Sequence, residues 1–167
     1  MNKVIAIDQY IYYKDLKQLL SLYNNKEIVF FCVGNYKVWY DSFASELASS
    51  LRELSFKAYI YGGKNFPIVP DNLSAFIDFV NAKHPYACII VVDNLLTFSN
   101  KDCGNVIIRN RASNIAYFSQ NLAFGHISLL LKTYPYNNSY NFLNKQSQIV
   151  KKLVLAFENL NKSGLIE

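Results

Sequence analysis

Two stretches of consecutive apolar residues constrain this chain most: IVFFCV at 28–33 and ACIIVV at 87–92. Both are rich in β-branched or aromatic residues and neither alternates with polar ones. A strand of that kind is covered on both faces, which is the habit of parallel sheets flanked by helices. Between the two runs the apolar spacing changes period. Phe43, Leu47, Leu51 and Leu54 form one helical stripe, with Ala44 and Ala48 beside it, and Leu73, Phe76, Ile77 and Val80 form another. A further strand is expected at 57–61, followed by the turn Gly62-Gly63 and a loop that Pro67 and Pro70 keep irregular. Strand, helix, strand, helix, strand predicts right-handed crossovers and a mostly parallel central sheet. The expected fold class is therefore α/β, a three-layer α/β/α sandwich.

The flanking segments fit one domain over residues 1–167. An edge strand is expected at 3–7. An amphipathic helix follows at 11–23, with Ile11, Tyr12, Leu16, Leu19, Leu20 and Tyr23 on one face and Asn24-Asn25 ending it. Beyond residue 92, short strands are expected at 106–108 and 115–118 and a stronger one at 127–131. A terminal helix at 141–162 turns Phe142, Ile149, Val150, Leu153, Phe157 and Leu160 inward.

Composition narrows the classes. A chain of 167 residues, 51% hydrophobic and only 17% charged, can bury a full core. The net charge of +5 comes from Lys and Arg scattered along the chain, so nucleic acid is not an expected partner. Three cysteines without CxxC spacing argue against a disulfide framework or a zinc site. No signal-peptide pattern opens the sequence, and no apolar run approaches the ~20 residues that span a bilayer. The expected compartment is the cytoplasm, with no membrane partner.

The chemistry is expected where the two apolar runs end. Open α/β sheets bind ligands beyond the carboxyl ends of their strands. Asp41 follows the first run, at the expected start of a helix whose dipole would favour its anion, with Asp41 or Ser42 as N-cap. Asp93 follows the second run, where burial would raise its pKa. Two carboxylates in contrasting surroundings suit acid/base work or can hold a divalent metal. Each could equally be a helix cap or a turn residue.

Three segments then resemble one family. VGNYKVWYDSFASEL is similar to the Gly-Thr-Asp-Arg-Ser-Thr-Gly-Asp-Ser-Leu motif of the YyaC-type sporulation proteins, matching or conservatively substituting at Gly34, Lys37, Asp41, Ser42 and Phe43. YGGKNFPIVPDNL fits the next motif at Tyr61, Gly62, Pro67, Ile68, Asn72 and Leu73. HPYACIIVVDNLL fits a third at His84, Pro85, Ile89, Ile90 and Asp93, and FGHISLLL lies where the family has a further apolar strand. The resemblance spans roughly residues 27–132. The family is similar in fold to the spore germination protease and the hydrogenase maturation proteases, so it implies that fold and a peptidase-like hydrolase with Asp41 and Asp93 as catalytic acids. Asn35, Ser42 and Asn94, which lie near these acids in the sequence, are the expected substrate-binding residues, and a protein or peptide is the expected substrate. In the maturation proteases two acids and a histidine hold a metal; the nearest counterpart set here is Asp41, Asp93 and His126, with one divalent metal as candidate cofactor. The implied location is the mother cell or forespore of a spore former. The chain departs from the motifs at Tyr36, Tyr40 and Val69, which replace an Asp, a Gly and a His.

The alternative is a member without catalysis that serves as a binding or assembly module, presenting Val38, Trp39 and Tyr40; a homodimer is one such arrangement. Other classes lack their parts. The YDSF segment resembles the Gly-Asp-Ser-Leu hydrolases but has no Asp-x-x-His partner, and neither GxGxxG nor a phosphate-binding P-loop occurs.

Overall fold

The computed structural model describes the backbone of residues 2–5, 9–54, 57–117, 120–136 and 139–166, and the side chains of 13–54, 57–115, 122–136 and 140–166. In chain order the elements are β1 (Asn2–Ile5), α1 (Gln9–Leu20), β2 (Ile28–Cys32), α2 (Phe43–Arg52), β3 (Ala58–Tyr61), α3 (Leu73–Lys83), β4 (Cys88–Leu96), β5 (Val106–Arg109), β6 (Ser113–Tyr117), β7 (Gln120–Phe124), β8 (Ile127–Thr133) and α4 (Ser139–Lys162). Short 3₁₀ turns occupy Trp39–Asp41 and Pro70–Asn72.

Six strands form the central sheet in the order β1-β5-β8-β4-β2-β3. The pairs β2–β3, β2–β4 and β4–β8 are parallel, and β5 runs antiparallel to both β8 and β1. The expected mostly parallel α/β fold is what forms. The apolar runs become its two central parallel strands, as their lack of alternation requires. Successive residues of β2 feed opposite faces. Phe30 and Cys32 join Phe43, Leu47, Ile90, Leu129, Leu153 and Phe157 under α1, α2 and α4. Val29 and Phe31 join Leu73, Val80, Val91, Ile115 and Phe124 under α3 and the β6–β7 hairpin. Edge-to-face rings tie both layers down, Phe30 on Phe157 at 4.9 Å and Phe31 on Phe124 at 4.7 Å.

Three expectations change. Helix α2 starts at Phe43; Ser42 precedes it with a helical backbone, and its side chain makes no cap bond. Strand β4 does not stop at Asp93 but continues to Leu96, because β8 runs alongside and pairs with it as far as Thr133. The segment around residue 115 is the first arm of a separate two-stranded hairpin, whose second arm, β7, was not anticipated. Residues 6 and 7 of the expected first strand and Phe118 lie outside the described residues, as do the side chains of Ile11 and Tyr12.

Candidate functional site

At its carboxyl end β2 leaves the sheet. The Val33 N–H still donates to the Val92 carbonyl at 2.8 Å, but the Gly34 N–H donates to the Ile68 carbonyl at 2.9 Å, drawing the chain away from β4. Gly34 has φ +145°, and a Cβ there would sit 2.4 Å from the Asp41 carbonyl oxygen. Only glycine lets the returning chain pass this close. The chain then loops through Asn35, whose backbone N–H donates to Asp41 Oδ2 at 2.9 Å. The Asn35 side-chain oxygen accepts the Lys37 N–H at 3.0 Å, which tightens the same loop. Asp41 is thus fixed over the end of β2 by the residues that precede it.

Asp93 reaches the same place from β4. Both acids line one cleft of 360 Å³, walled by Val33, Gly34 and Tyr40 on one side, Ile68, Pro70 and Leu73 on another, and Asn94, Leu95 and Leu96 on a third. Leu130 and residues 113–115 of the hairpin close it. The walls are largely apolar, so the charged form of each acid is poorly solvated. Burial pushes the Asp93 carboxyl up to about 8; the Asn94 N–H, donating to Asp93 Oδ1 at 2.7 Å, opposes this, and the negative charge of Asp41 adds to it. Burial also raises Asp41, with the Asn35 N–H pulling the other way. The anticipated dipole-favoured anion at a helix cap is therefore replaced by an acid that burial raises and a single N–H steadies.

The other expected site residues divide. Asn94 lines the cleft, and both atoms of its carboxamide are shielded from solvent without a hydrogen-bond partner. Asn35 acts through its backbone on Asp41. Ser42 is not at the cleft: it is buried, donates to the Trp39 carbonyl at 3.0 Å, and accepts from Gln146 Nε2 of α4 at 2.9 Å. His126 does not join the acids. Its N–H donates to the Ile89 carbonyl at 2.8 Å and its Nδ1 accepts the Ile89 N–H at 3.0 Å, so it lies beside the amino end of β4. Asp93 is four residues further along that strand, about 13 Å at ~3.3 Å per residue. Partial desolvation of the ring, and then the neighbouring Lys26 charge, lower the His126 pKa. Trp39 packs edge-on against Phe142 at 5.6 Å rather than standing free for a partner.

A resident divalent metal does not fit this donor set. Among the described residues no group of three or more His, Cys, Asp and Glu converges, and two carboxylates make an incomplete ligand set. Two contributions were not foreseen. The hairpin places Ser113 and Asn114 at the cleft, and a short polar stretch with no periodicity gave no signal of it. Glu27, His84 and Tyr61 form a hydrogen-bonded chain, Glu27 to His84 Nδ1 and Tyr61 Oη to His84 Nε2 at 2.7 Å; it pins the end of α3 to the sheet, away from the cleft.

The fold and the site together define an α/β protein with a two-carboxylate cleft at the carboxyl end of its parallel strands. The model of the family described as "Protein of unknown function (DUF1256)" matches residues 3–152. The chain belongs to that family, which is that of the YyaC-type proteins. No curated protein matches the sequence. Among solved structures, the crystal structure of a nickel–iron hydrogenase maturation protease, HycI from Thermococcus kodakarensis KOD1, is similar at 13% identity with a TM-score of 0.48, over 83% of this chain and 98% of that one. No helix among the described residues is long and apolar enough to cross a membrane.

Proposed function

We propose that the protein is a peptidase-like hydrolase acting through Asp41 and Asp93. The observation that carries this reading is that two acids from different strand ends line one largely apolar cleft, one of them holding its proton near neutral pH. Unlike protonation of two neighbouring carboxyls is how a pair divides acid from base. Asp41, steadied as an anion by the Asn35 N–H, takes a proton from water as the water oxygen bonds to the peptide carbonyl carbon. Asp93 donates its proton to the carbonyl oxygen. Its Oδ1 accepts from Asn94, which leaves Oδ2 to carry that proton. Collapse of the tetrahedral adduct breaks the C–N bond as one hydroxyl proton returns to Asp93 and the carbonyl re-forms, and the amine leaves with the proton taken up by Asp41.

The resemblance to the YyaC-type proteins supports a sporulation role, in the cytoplasm of the mother cell or forespore. The test is hydrolysis of an end-capped, fully randomised hexapeptide pool, read by mass spectrometry. Wild type is expected to release new termini. Asp41→Asn and Asp93→Asn are each expected to reduce the rate by about 100-fold or more, the scale of a lost acid or base, while remaining folded. Full turnover in both variants would end the two-acid reading.

A second reading rests on the cleft rim. Tyr40, Leu95 and Leu96 are exposed there, and apolar rims also serve binding modules. That reading predicts peptide binding without cleavage in the same assay.

A further inference from the structure

The direction of each peptide group along β4 follows from its hydrogen-bond partners. Ile89 and Thr97 bond towards β8, through His126 N–H to the Ile89 carbonyl and Thr97 N–H to the Thr133 carbonyl, both at 2.8 Å. Cys88 and Val92 bond the other way, to Glu27 and Val33, both at 2.8 Å. Alternation along a strand therefore turns the peptide groups of Asn94 and Leu96 towards the β2 side. There β2 has already gone: its last paired residue is Cys32, opposite Val92. Strand β4 overhangs its neighbour by four residues, supported by β8 alone.

The Asn94 N–H is taken by Asp93 Oδ1. The Asn94 carbonyl and the Leu96 N–H and carbonyl make no hydrogen bond among the described residues. The cleft occupies the place that a continued β2 would have filled, bounded by Val33 and Gly34 at one end and by Asn94, Leu95 and Leu96 along one side. An acceptor at residue 94 and a donor at residue 96, facing the same gap, are what a parallel or antiparallel strand pairs with. Exposed sheet edges are usually blunted by charge or proline; this one carries Leu95 and Leu96, the latter 56% exposed, and Phe98 beyond them.

We propose that the overhang of β4 is the substrate-docking edge, which receives an extended polypeptide segment as an added strand in the place β2 vacates, paired with the Asn94 carbonyl and the Leu96 N–H. This rests on the peptidase reading and supplies its substrate class: an unfolded or terminal segment in β conformation, not a folded surface. Main-chain pairing provides the affinity in such docking, and the neighbouring side chains provide the preference. Here the exposed leucines and Tyr40 favour apolar side chains. A strand laid in this gap runs past Asp93, which precedes the docking residues on β4, and past Asp41 at the end of β2. The peptide bond is thereby held between the two acids. Asn94, whose carboxamide has no partner, adjoins the same edge.

The probe is the end-capped hexapeptide pool and a matched pool with alternate amides N-methylated, added to the Asp93→Asn chain so that binding is read without turnover. Amide hydrogen exchange by NMR is expected to show the Leu96 N–H slowed at least tenfold by the plain pool and unaffected by the methylated one. Leu96→Pro, which removes the donor at an edge where proline is tolerated, is expected to weaken binding at least tenfold, whereas Leu96→Ala keeps most of it. An unprotected Leu96 amide, or equal binding of both pools, overturns the docking edge; the pools make this measurable even if the proline variant does not fold. Protection in this chain without hydrolysis by wild type would keep the docking edge and remove the peptidase reading. Hydrolysis by wild type that Leu96→Pro leaves unchanged in a folded protein would do the reverse.

Discussion

The two ends of the parallel strands are built in opposite ways. At the amino end both histidines and Tyr23 have protein partners. His84 is buried between Glu27 and Tyr61, His126 is bonded to Ile89 and edged by the Tyr23 ring at 5.8 Å, and Tyr23 donates to Asn110 Oδ1 at 2.9 Å. At the carboxyl end the bonds are left open. Asp93 and Asp41 keep carboxyl oxygens facing a cleft, the carboxamide of Asn94 is unpartnered, and the edge of β4 is unpaired. Unmade hydrogen bonds in shielded places cost stability. On the proposed reading, the open groups at the carboxyl end are those that meet substrate. On the same reading the histidines serve structure and the acids, each held by one backbone N–H, serve chemistry, although a sequence shows all four simply as polar residues beside apolar strands.

The strongest way to break this contrast is to deform the carboxyl end without touching an acid. Gly34→Ala puts a methyl group where the Asp41 backbone already stands, at a φ that alanine avoids. The expected cost is about 2–4 kcal/mol in denaturant unfolding, together with a loss of peptide hydrolysis of more than about 100-fold in whatever remains folded, because Asp41 loses its position. Hydrolysis at the wild-type rate in the folded fraction would mean that the loop does not aim Asp41.

The converse change sits at the amino end. His84→Ala removes a buried ring that bridges Glu27 and Tyr61, leaving two polar groups to find water. Unfolding should become easier by about 2–3 kcal/mol, while turnover by the folded protein stays within twofold of wild type. A large loss of turnover without a loss of stability would place function at this end as well.

These two substitutions also mark what the sequence could reveal. The unbroken apolar runs declared the central parallel strands, and the helical stripes declared α2 and α3, because burial on both faces and burial on one face leave different periodicities. Asp41 and Asp93 were legible as a pair since each follows such a run. His126 was misjudged for a related reason: a residue that precedes a parallel strand lies at the opposite end of the sheet from one that follows a parallel strand, whatever its nearness in a motif. The β4 overhang was not legible. Asp93 and Asn94 disfavour strands by propensity, and only the pairing of β8 as far as Thr133 carries the strand through them. The hairpin β6–β7 was half-visible, since Ile115 and Phe124 face the core while Asn114 and Ala123 face outward, and so short an alternation is weak evidence of a strand.

The contrast is sharpened by pH. An Asp93 carboxyl raised from 3.8 to about 8 keeps its proton in the folded state while the unfolded chain has lost it. Between those values the folded state binds more protons, so this group's contribution to stability is present below about pH 4 and is lost as pH rises through about 8. Asp93→Asn retains an acceptor for the Asn94 N–H and has no proton to lose. Its unfolding free energy should fall less than that of wild type between pH 4 and pH 9, by about 2 kcal/mol after allowing for the solvent that reaches the cleft. Parallel pH profiles for the two proteins would show that Asp93 titrates normally.

The smallest effect is expected at His126, where a motif-based reading would look for a large one. The side chain is exposed, and its ring accepts one backbone N–H and touches one tyrosine edge. The main loss is one partly buried hydrogen bond, so His126→Ala should cost only about 0.5–1 kcal/mol. Hydrolysis of the peptide pool and its response to added divalent ions should not change, since the residue is some 13 Å along the strand from Asp93 by the ~3.3 Å rise of an extended chain. A fall in turnover on the scale of the acid variants would return His126 to the active site and dissolve the division between the two ends of the sheet. An unchanged rate leaves the chemistry to the residues around the gap where β2 ends.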